Sequence, residues 1–294
     1  MNHKAGFVNI IGRANAGKST LMNILVGERI SIITPKAQTT RHRIVGIVNE
    51  EDYQIVYSDT PGMLEPKYAL QANMMTFVKE ALQDADILLL IIDIADKNME
   101  FFGFDEALKN IDVPMIIALN KVDLSNQTRL EEAVQRLKGT FPKAEIMPIS
   151  ALHNFGIEHL QNRIIDLLPQ SPPYYEKDAL TDKPMRFFIS EIIRESILEN
   201  YQKEVPYAVQ VEIESYKEEK DIVRISAVIY VERKSQKGIL IGHKGEKLKK
   251  VGTESRKKIE EFIDKKVFLE THVKVDEGWR TKESKLKSYG YKKS

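Results

Sequence analysis

The sequence predicts an α/β fold built on a mostly parallel sheet, followed by a small α+β domain. Three observations lead there. From residue 5 to about 168, short apolar runs alternate with helix-length amphipathic stretches, the pattern of strand–helix–strand crossovers. Several of the runs are continuous Val/Ile/Leu, Ile87–Asp93 being the clearest, as strands covered on both faces are. Beyond a proline-studded break the order changes to helix, two alternating strands, two helices and a last strand.

Taken in order, strands are expected at Gly6–Ile11, Ile44–Asn49, Gln54–Ser58, Ile87–Asp93, Met115–Leu119 and Glu145–Ile149. Helices fit between them at Lys18–Val26, Ala69–Gln83, Phe104–Asn110, Gln127–Gly139 and Ile157–Leu168. Only Glu50-Glu51-Asp52-Tyr53 separates the second and third strands, too short a connection for anything but an antiparallel hairpin. Pro169, Pro172, Pro173 and Pro184 bracket a polar stretch that reads as an interdomain linker. Past it come a helix (Met185–Asn200), strands (Tyr207–Tyr216 and Ile222–Val231), helices (Gln236–Ile241 and Gly245–Asp264) and a strand (Lys266–Val275). The expected organisation is a first domain over 1–170, a linker over 171–184, a second domain over 185–276 and a basic tail over 277–294.

Composition narrows the function classes. With no cysteine in 294 residues, a disulfide framework and a thiolate metal site are excluded. The amino-terminal residues lead straight into a strand-like run without the apolar core of a signal peptide, and the longest apolar run, Ile87 to Ile92, is far short of a membrane span. A cytoplasmic protein is expected. The net charge of +1 hides an asymmetry: residues 1–180 hold 18 basic and 23 acidic side chains, residues 181–294 hold 26 and 20. The basic half is the one expected to meet a polyanion.

Gly12-Arg13-Ala14-Asn15-Ala16-Gly17-Lys18-Ser19 matches G-x-x-x-x-G-K-[ST], placed after one strand and before a helix. Its backbone N–H groups, with the helix N-terminus behind them, suit a triphosphate, and Gly12, Asn15, Ala16, Gly17, Lys18, Ser19 and Thr20 are the candidate phosphate-binding residues. Ser19 is a candidate Mg²⁺ ligand. Asp59-Thr60-Pro61-Gly62 follows the third strand, where Asp59 can hold Mg²⁺ through water and the Gly62 N–H can meet the γ-phosphate. Asn120-Lys121-Val122-Asp123 follows the fifth strand. A carboxylate at Asp123 can accept from guanine N1–H and the 2-amino group, whereas adenine offers no such amine. Ser150-Ala151-Leu152 ends the sixth strand and can place a backbone N–H on guanine O6. Asn120, Lys121, Asp123, Ser150, Ala151 and Leu152 are thus the candidate guanine-binding residues.

These pieces resemble the G boxes of translation-factor-like GTPases. The stretch Thr34-Pro35-Lys36-Ala37-Gln38-Thr39-Thr40-Arg41-His42-Arg43-Ile44-Val45-Gly46-Ile47 is similar to the effector loop of the Era-like GTPase family, and the resemblance covers nearly the whole chain. It implies that Thr39 or Thr40 joins Ser19 and Asp59 around Mg²⁺ when GTP is bound; the sequence does not choose between them. Met63 stands where Ras-like enzymes carry a water-orienting glutamine. Arg13, its backbone committed to the turn, is expected to point away from the phosphates. Asn15 has two readings: a turn residue tolerant of unusual φ/ψ, or an amide whose oxygen helps hold a monovalent cation between the phosphates. The second is the role implied by similarity to potassium-activated GTPases, and it makes K⁺ a candidate activator.

Gly242-His243-Lys244-Gly245 lies between two short helices, and nine Lys/Arg against two Glu fall within residues 234–258. The element order and this GXXG loop resemble a KH domain of the prokaryotic type, which clamps the backbone of single-stranded nucleic acid. Candidate RNA-binding residues are Lys237, Gly242, His243, Lys244, Gly245, Lys247, Lys249 and Lys250, with Ile239, Leu240, Ile241, Leu248 and Val251 along the apolar side and groove. Trp279 either stacks on RNA or packs the domain's end, with packing favoured; the tail Arg280–Ser294 is either a second polyanion contact or a solvated end. The family resemblance implies GTP and GDP as ligands and single-stranded rRNA as partner, specifically small-subunit (16S) rRNA near its 3′ end. It also implies a part in assembling the small ribosomal subunit and a peripheral membrane contact. Two rival readings are a GTPase of RNA modification, which would need a further catalytic partner, and a GTP-sensing regulatory protein with negligible turnover.

Overall fold

The computed structural model describes residues 3–36, 38–96 and 100–291. Ala37 of the effector-like loop and the last three tail residues lie outside the described residues. The chain divides into two compact units, Met1–Lys67 with Gln71–Asp182, and Tyr68–Leu70 with Lys183–Ser294.

The first unit runs β1 (Lys4–Gly12), α1 (Lys18–Val26), β2 (Ile44–Asn49), β3 (Tyr53–Asp59), α2 (Ala69–Gln83), β4 (Ile87–Asp93), α3 (Asp105–Lys109), β5 (Met115–Asn120), α4 (Gln127–Thr140), β6 (Glu145–Pro148) and α5 (Ile157–Leu167). The sheet order is β2-β3-β1-β4-β5-β6. Every neighbouring pair is parallel except β2/β3, the expected hairpin, in which Ile44 faces Asp59 and Asn49 faces Gln54. In β4, Ile87 to Ile92 are all buried, which accounts for an apolar run without alternation. From β1 the chain crosses to β2 and β3 on one side, then returns through α2 to β4, β5 and β6 on the other. The crevice beyond the carboxyl end of β1 is therefore the switch point where such sheets bind ligands.

The stretch read as a linker packs onto this unit. The Tyr174 and Tyr175 N–H groups donate to Gln54 Oε1 at 2.7 and 3.0 Å, and the Tyr174 ring lies 4.8 Å from that of Phe7. Ile47 N–H donates to the Leu180 carbonyl at 2.8 Å, and Thr181 Oγ1 to the Val45 carbonyl at 2.6 Å. An edge strand leaves backbone groups unpaired, and here Leu180 and Thr181 take up the Ile47 N–H and the Val45 carbonyl of β2. Proline-rich, polar composition concealed that strap.

The second unit runs α6 (Met185–Asn200), β7 (Gln210–Glu218), β8 (Val223–Val231), α7 (Lys234–Ile241), α8 (Glu246–Ile263), β9 (Val267–Val275) and α9 (Glu283–Ser288). Its sheet is β7-β8-β9, antiparallel then parallel. One face packs on α6 and α8 through Ile189, Ile193, Ile197, Ile225, Ile229, Val251 and Ile259. The start of β7 falls three residues later than the sequence suggests. Pro206 directs Val205–Tyr207 into a 3₁₀ turn, because proline fixes φ and has no N–H to give a ladder.

The basic tail is also corrected. Trp279 is fully buried, its Nε1 donating to the Ala208 carbonyl at 3.0 Å. Tyr291 stacks at 6.2 Å from Trp279 and donates through its hydroxyl to Gln210 Oε1 at 2.7 Å, while Leu286 of α9 is buried. Trp279 therefore packs, and residues up to Tyr291 belong to the folded unit. Packing, the favoured reading for Trp279, is what the structure has; the lysine count masks Leu286 and Tyr291.

Candidate functional site

The phosphate-type loop takes its shape from two glycines. Gly12 sits at φ +153° and a Cβ there would lie 2.4 Å from the Ile91 carbonyl oxygen; Gly17 sits at φ +103° and a Cβ would lie 2.2 Å from Asn120 Nδ2. Asn15, at φ +64°, completes the turn, in keeping with the turn reading. Its exposed amide also donates to the Pro35 carbonyl at 3.1 Å. Arg13 points away as expected, held by both oxygens of Asp96 at 2.8 and 2.7 Å and lying over the Phe102 ring. The loop borders a cavity of about 450 Å³ lined by Gly17, Lys18, Ser19, Thr20, Thr40 and Gly62 among others.

Lys18 is buried and its Nζ rests on the carbonyls of Gly12 and Arg13 at 3.1 and 2.8 Å. Burial draws its ammonium down to about 8 from an ordinary 10.5, with Asp59 acting in the other direction. A phosphate placed beside it would supply the missing negative charge.

Three side chains converge next to it. Ser19 Oγ donates to Asp59 Oδ2 at 2.7 Å, Ser19 Oγ and Thr40 Oγ1 are 3.0 Å apart, and Thr40 Oγ1 lies 3.3 Å from the same Asp59 oxygen. Asp59 is fully buried, and its Oδ1 has no hydrogen-bond partner among the described residues. Burial pushes its carboxyl above the ordinary value, against the opposing pull of Lys18 and the neighbouring hydroxyls. Two hydroxyls and a carboxylate with one orphaned oxygen form a hard-oxygen donor set of the kind Mg²⁺ takes. Thr39 is directed elsewhere: its Oγ1 donates to the Lys36 carbonyl at 2.6 Å and lies 2.8 Å from Thr34 Oγ1. Of the two threonines left open by the sequence, Thr40 is the one brought to Ser19 and Asp59.

Gly62 packs against Ala14, where a Cβ would lie 2.7 Å from backbone atoms. Met63 is buried, with its N–H donating to the Gly12 carbonyl at 3.0 Å, so its side chain is core.

At the other end, Asn120 is 2% exposed and both ends of its amide are committed to protein. Nδ2 donates to the Ala16 carbonyl at 2.8 Å, and Oδ1 accepts from the Ala151 N–H at 3.0 Å. Asn120 and Ala151, candidate base contacts from the sequence, also join the two loops. Lys121, at φ +65°, donates to the Asn15 carbonyl at 2.8 Å and to Asp93 at 2.7 Å. Ser150 Oγ donates to Asp123 Oδ1 at 2.5 Å, and His153, which the sequence reading passed over, lies 3.7 Å from the other oxygen. Leu152 is 77% exposed beside them.

In the second unit, Gly242 (φ +74°) and Gly245 (φ +82°) flank His243 and Lys244, with Lys244 itself at φ +47°. A Cβ on Gly242 would lie 2.7 Å from Lys247 Cγ, so only glycine lets the loop close onto α8. His243, Lys244, Lys247, Lys249 and Lys250 are exposed, and Lys237 is half-buried. Leu240 and Val251 are core, Ile241 and Leu248 pack against it, and Ile239 remains 44% exposed beside the loop. The Tyr201 hydroxyl donates to the Leu240 carbonyl at 2.6 Å, fixing the turn that feeds the loop.

The 50S ribosome-binding GTPase family matches residues 7–121, and the KH domain family matches residues 204–280. The chain is 43% identical over 297 residues to the GTPase Era of Thermoanaerobacter sp. (strain X514), covering 99% of this chain and 97% of that one. It is 44% identical over 294 residues to the GTPase Era of Alkaliphilus metalliredigens, covering 99% and 100%. A crystal structure of Era in complex with MgGDPNP and nucleotides 1506–1542 of 16S ribosomal RNA superposes with a TM-score of 0.93 at 34% identity, over 98% of this chain and 99% of that one. A point variant of Aquifex aeolicus Era bound to GDP·AlF4⁻ gives the same values. With a nucleotide-type cleft, a KH fold and identity over essentially its full length, the chain belongs to the Era family of GTPases.

Proposed function

We propose that this GTPase hydrolyses GTP at the cleft beside Lys18 and uses its GXXG loop to bind single-stranded rRNA at the 3′ end of the small-subunit (16S) rRNA during assembly of that subunit. The meeting of Ser19, Thr40 and Asp59 next to Lys18 carries the first half of the reading. The phosphate oxygens take over the Lys18 ammonium from the Gly12 and Arg13 carbonyls. The N–H groups of residues 15–20 and of Gly62 surround the phosphates. Ser19 and Thr40 would hold Mg²⁺ directly and Asp59 through water. When bound, Mg²⁺ offsets charge on the β- and γ-phosphate oxygens as the bond breaks. Asp123, oriented by Ser150, accepts from guanine N1–H and the 2-amino group. Asn120 and Lys121 hold that loop against the phosphate loop, and Leu152 covers the base.

Met63 has no group able to orient water, so hydrolysis is slow unless charge is supplied elsewhere. Asn15 would help seat K⁺ between the phosphates to supply it. Faster single-turnover hydrolysis in potassium than in sodium at equal ionic strength, lost in Asn15→Ala, is the expected result; equal parent rates in the two salts would return Asn15 to a turn residue.

The RNA half rests on the basic, exposed GXXG face, and on the relative seen with nucleotides 1506–1542 of 16S rRNA. Lys237, Lys244, Lys247, Lys249 and Lys250 meet phosphates, and Gly242 and Gly245 admit the strand closely. Crosslinking the chain to cellular RNA and sequencing what is attached tests it; reads scattered over the transcriptome without enrichment at the small-subunit 3′ end would refute it. Peripheral membrane contact rests on family resemblance alone, and no helix among the described residues is long and apolar enough to cross a membrane.

A further inference from the structure

We infer that Arg43 is a positioning residue for the GTP-bound state: its guanidinium anchors the foot of the loop that delivers Thr40. The inference rests on the reading of Thr40 as an Mg²⁺ ligand.

Arg43 stands three residues after Thr40, immediately before β2. One planar guanidinium reaches three other segments. Nε donates to Ser58 Oγ at 2.5 Å; Nη1 donates to Asp84 Oδ2 at 2.5 Å; Nη2 donates to Asp84 Oδ1 at 2.9 Å and to Asn9 Oδ1 at 3.0 Å. Asn9 belongs to β1, the strand that feeds the phosphate loop. Ser58 precedes Asp59 on β3. Asp84 follows α2, and Asn9 Nδ2 ties the same corner by donating to Asp84 Oδ1 and the Ala81 carbonyl, both at 2.7 Å. The fork is paired with Asp84 in a bidentate manner, and the Arg43 side chain is only 14% exposed. His42, next to it, lies against Phe77 of α2, and Arg41 is 1% exposed.

The loop from Gly27 to Arg43 is held differently at its other end, where Asn23 receives the Ile30 and Ser31 N–H groups at 3.1 and 2.9 Å. Between the anchors the described residues form no helix or strand. Placing Thr40 on the cation therefore requires fixing a segment without regular structure, and the entropic cost falls when a fixed point sits close by. Arg43 is that point, and it is tied to β3, which ends in Asp59, and to β1, which leads into the phosphate loop and Ser19. Its contribution appears only when Thr40 is engaged, in the triphosphate state. Nucleotides without a γ-phosphate gain nothing from it.

The test compares Mg²⁺-dependent binding of fluorescent GDP and fluorescent GDPNP to the full chain, for the parent, Arg43→Gln, Asp84→Asn and Thr40→Ala. GDP affinity should stay within about twofold in all of them. GDPNP affinity should fall roughly tenfold in Arg43→Gln, the equivalent of ~1.4 kcal/mol, and by a smaller factor in Asp84→Asn, which keeps the fold should Arg43→Gln not. Arg43→Lys should recover little, because an ammonium cannot reach three acceptors in one plane. A merely structural role would weaken both nucleotides equally, and that result overturns the inference. An unchanged GDPNP-to-GDP ratio in Arg43→Gln and Asp84→Asn, with Thr40→Ala still losing GDPNP selectively, also overturns it and leaves the Thr40 reading standing. No selective loss in Thr40→Ala overturns both.

Discussion

Asn120 is the bolt between the phosphate and base halves of the cleft, and removing its amide tests that geometry directly. In Asn120→Ala the Ala16 carbonyl and the Ala151 N–H lose their partners. Ala16 and Ala151 are nearly inaccessible, at 2% and 3% exposure, so water replaces the amide poorly. A buried polar group left unpaired costs about 1–3 kcal/mol, and two of them give a loss of about 2–6 kcal/mol. For a unit of this size each kcal/mol moves the melting temperature by about 2–4 °C, so the nucleotide-free first unit should melt roughly 4–24 °C lower. Asn120→Asp should be at least as damaging, because it keeps the acceptor for Ala151 N–H but turns a second oxygen toward the Ala16 carbonyl. A double-mutant cycle sharpens the test. A Cβ on Gly17 would lie 2.2 Å from Asn120 Nδ2. Gly17→Ala should therefore cost less in the Asn120→Ala background than alone, the remainder being backbone strain at φ +103°. Scanning calorimetry of the full chain is the assay, because the single tryptophan, Trp279, lies in the second unit and its fluorescence would report the wrong transition. A nucleotide-responsive transition that stays within about 1 °C of the parent in Asn120→Ala would refute the reasoning.

Between about pH 8 and 10.5 the folded, nucleotide-free chain holds fewer protons at Lys18 than the unfolded chain does, so stability should rise with pH across that window and Lys18→Met should remove the slope. At about pH 9, where roughly nine-tenths of Lys18 is neutral before nucleotide arrives, GTP binding should take up a proton, read by titration calorimetry in buffers of different ionisation enthalpy; no buffer dependence would contradict it. Asp59 titrates the other way: its raised carboxyl makes the folded state the better proton binder above the unfolded value near 3.8, so its ionisation destabilises the metal-free protein as pH rises through the folded value. Asp59→Asn should accordingly melt higher than the parent in EDTA at neutral pH while losing Mg²⁺-dependent GTP retention; a lower melting temperature would count against the cation site. Replacing both His243 and Lys244 by Asp should cut RNA affinity sharply and leave RNA-free GTP hydrolysis within about twofold, with the parent's binding falling with salt at a slope near about −0.7 per phosphate neutralised. Unchanged affinity would leave α7 and α8 as a solvated helix pair.

Much of this architecture is local and so legible in the sequence. The G-x-x-x-x-G-K-S spacing needs only two positive-φ glycines between a strand and a helix, and Gly12 and Gly17 occupy them. Continuous apolar runs announce strands covered on both faces, and β4 is one. The GXXG loop is equally self-contained, a matter of φ at Gly242 and Gly245. What the sequence leaves open is each case in which two distant segments must meet. Thr39 and Thr40 are chemically identical neighbours; the path of the loop, with Gln38 at φ +58°, turns one toward Lys36 and the other toward Asp59. Nothing in the sequence gives Arg43 of the effector-like stretch a partner; in the fold Asn9, Ser58 and Asp84 close on it. Residues 174–181 read as a linker until β2 offers its unpaired edge, and Tyr291 as a tail until it packs on Trp279 and reaches Gln210. Spacing along a chain fixes what one element can present, because bond geometry is the same in every fold. Which partner satisfies a buried polar group depends on segments tens of residues away, and only the packed structure brings those within hydrogen-bond reach.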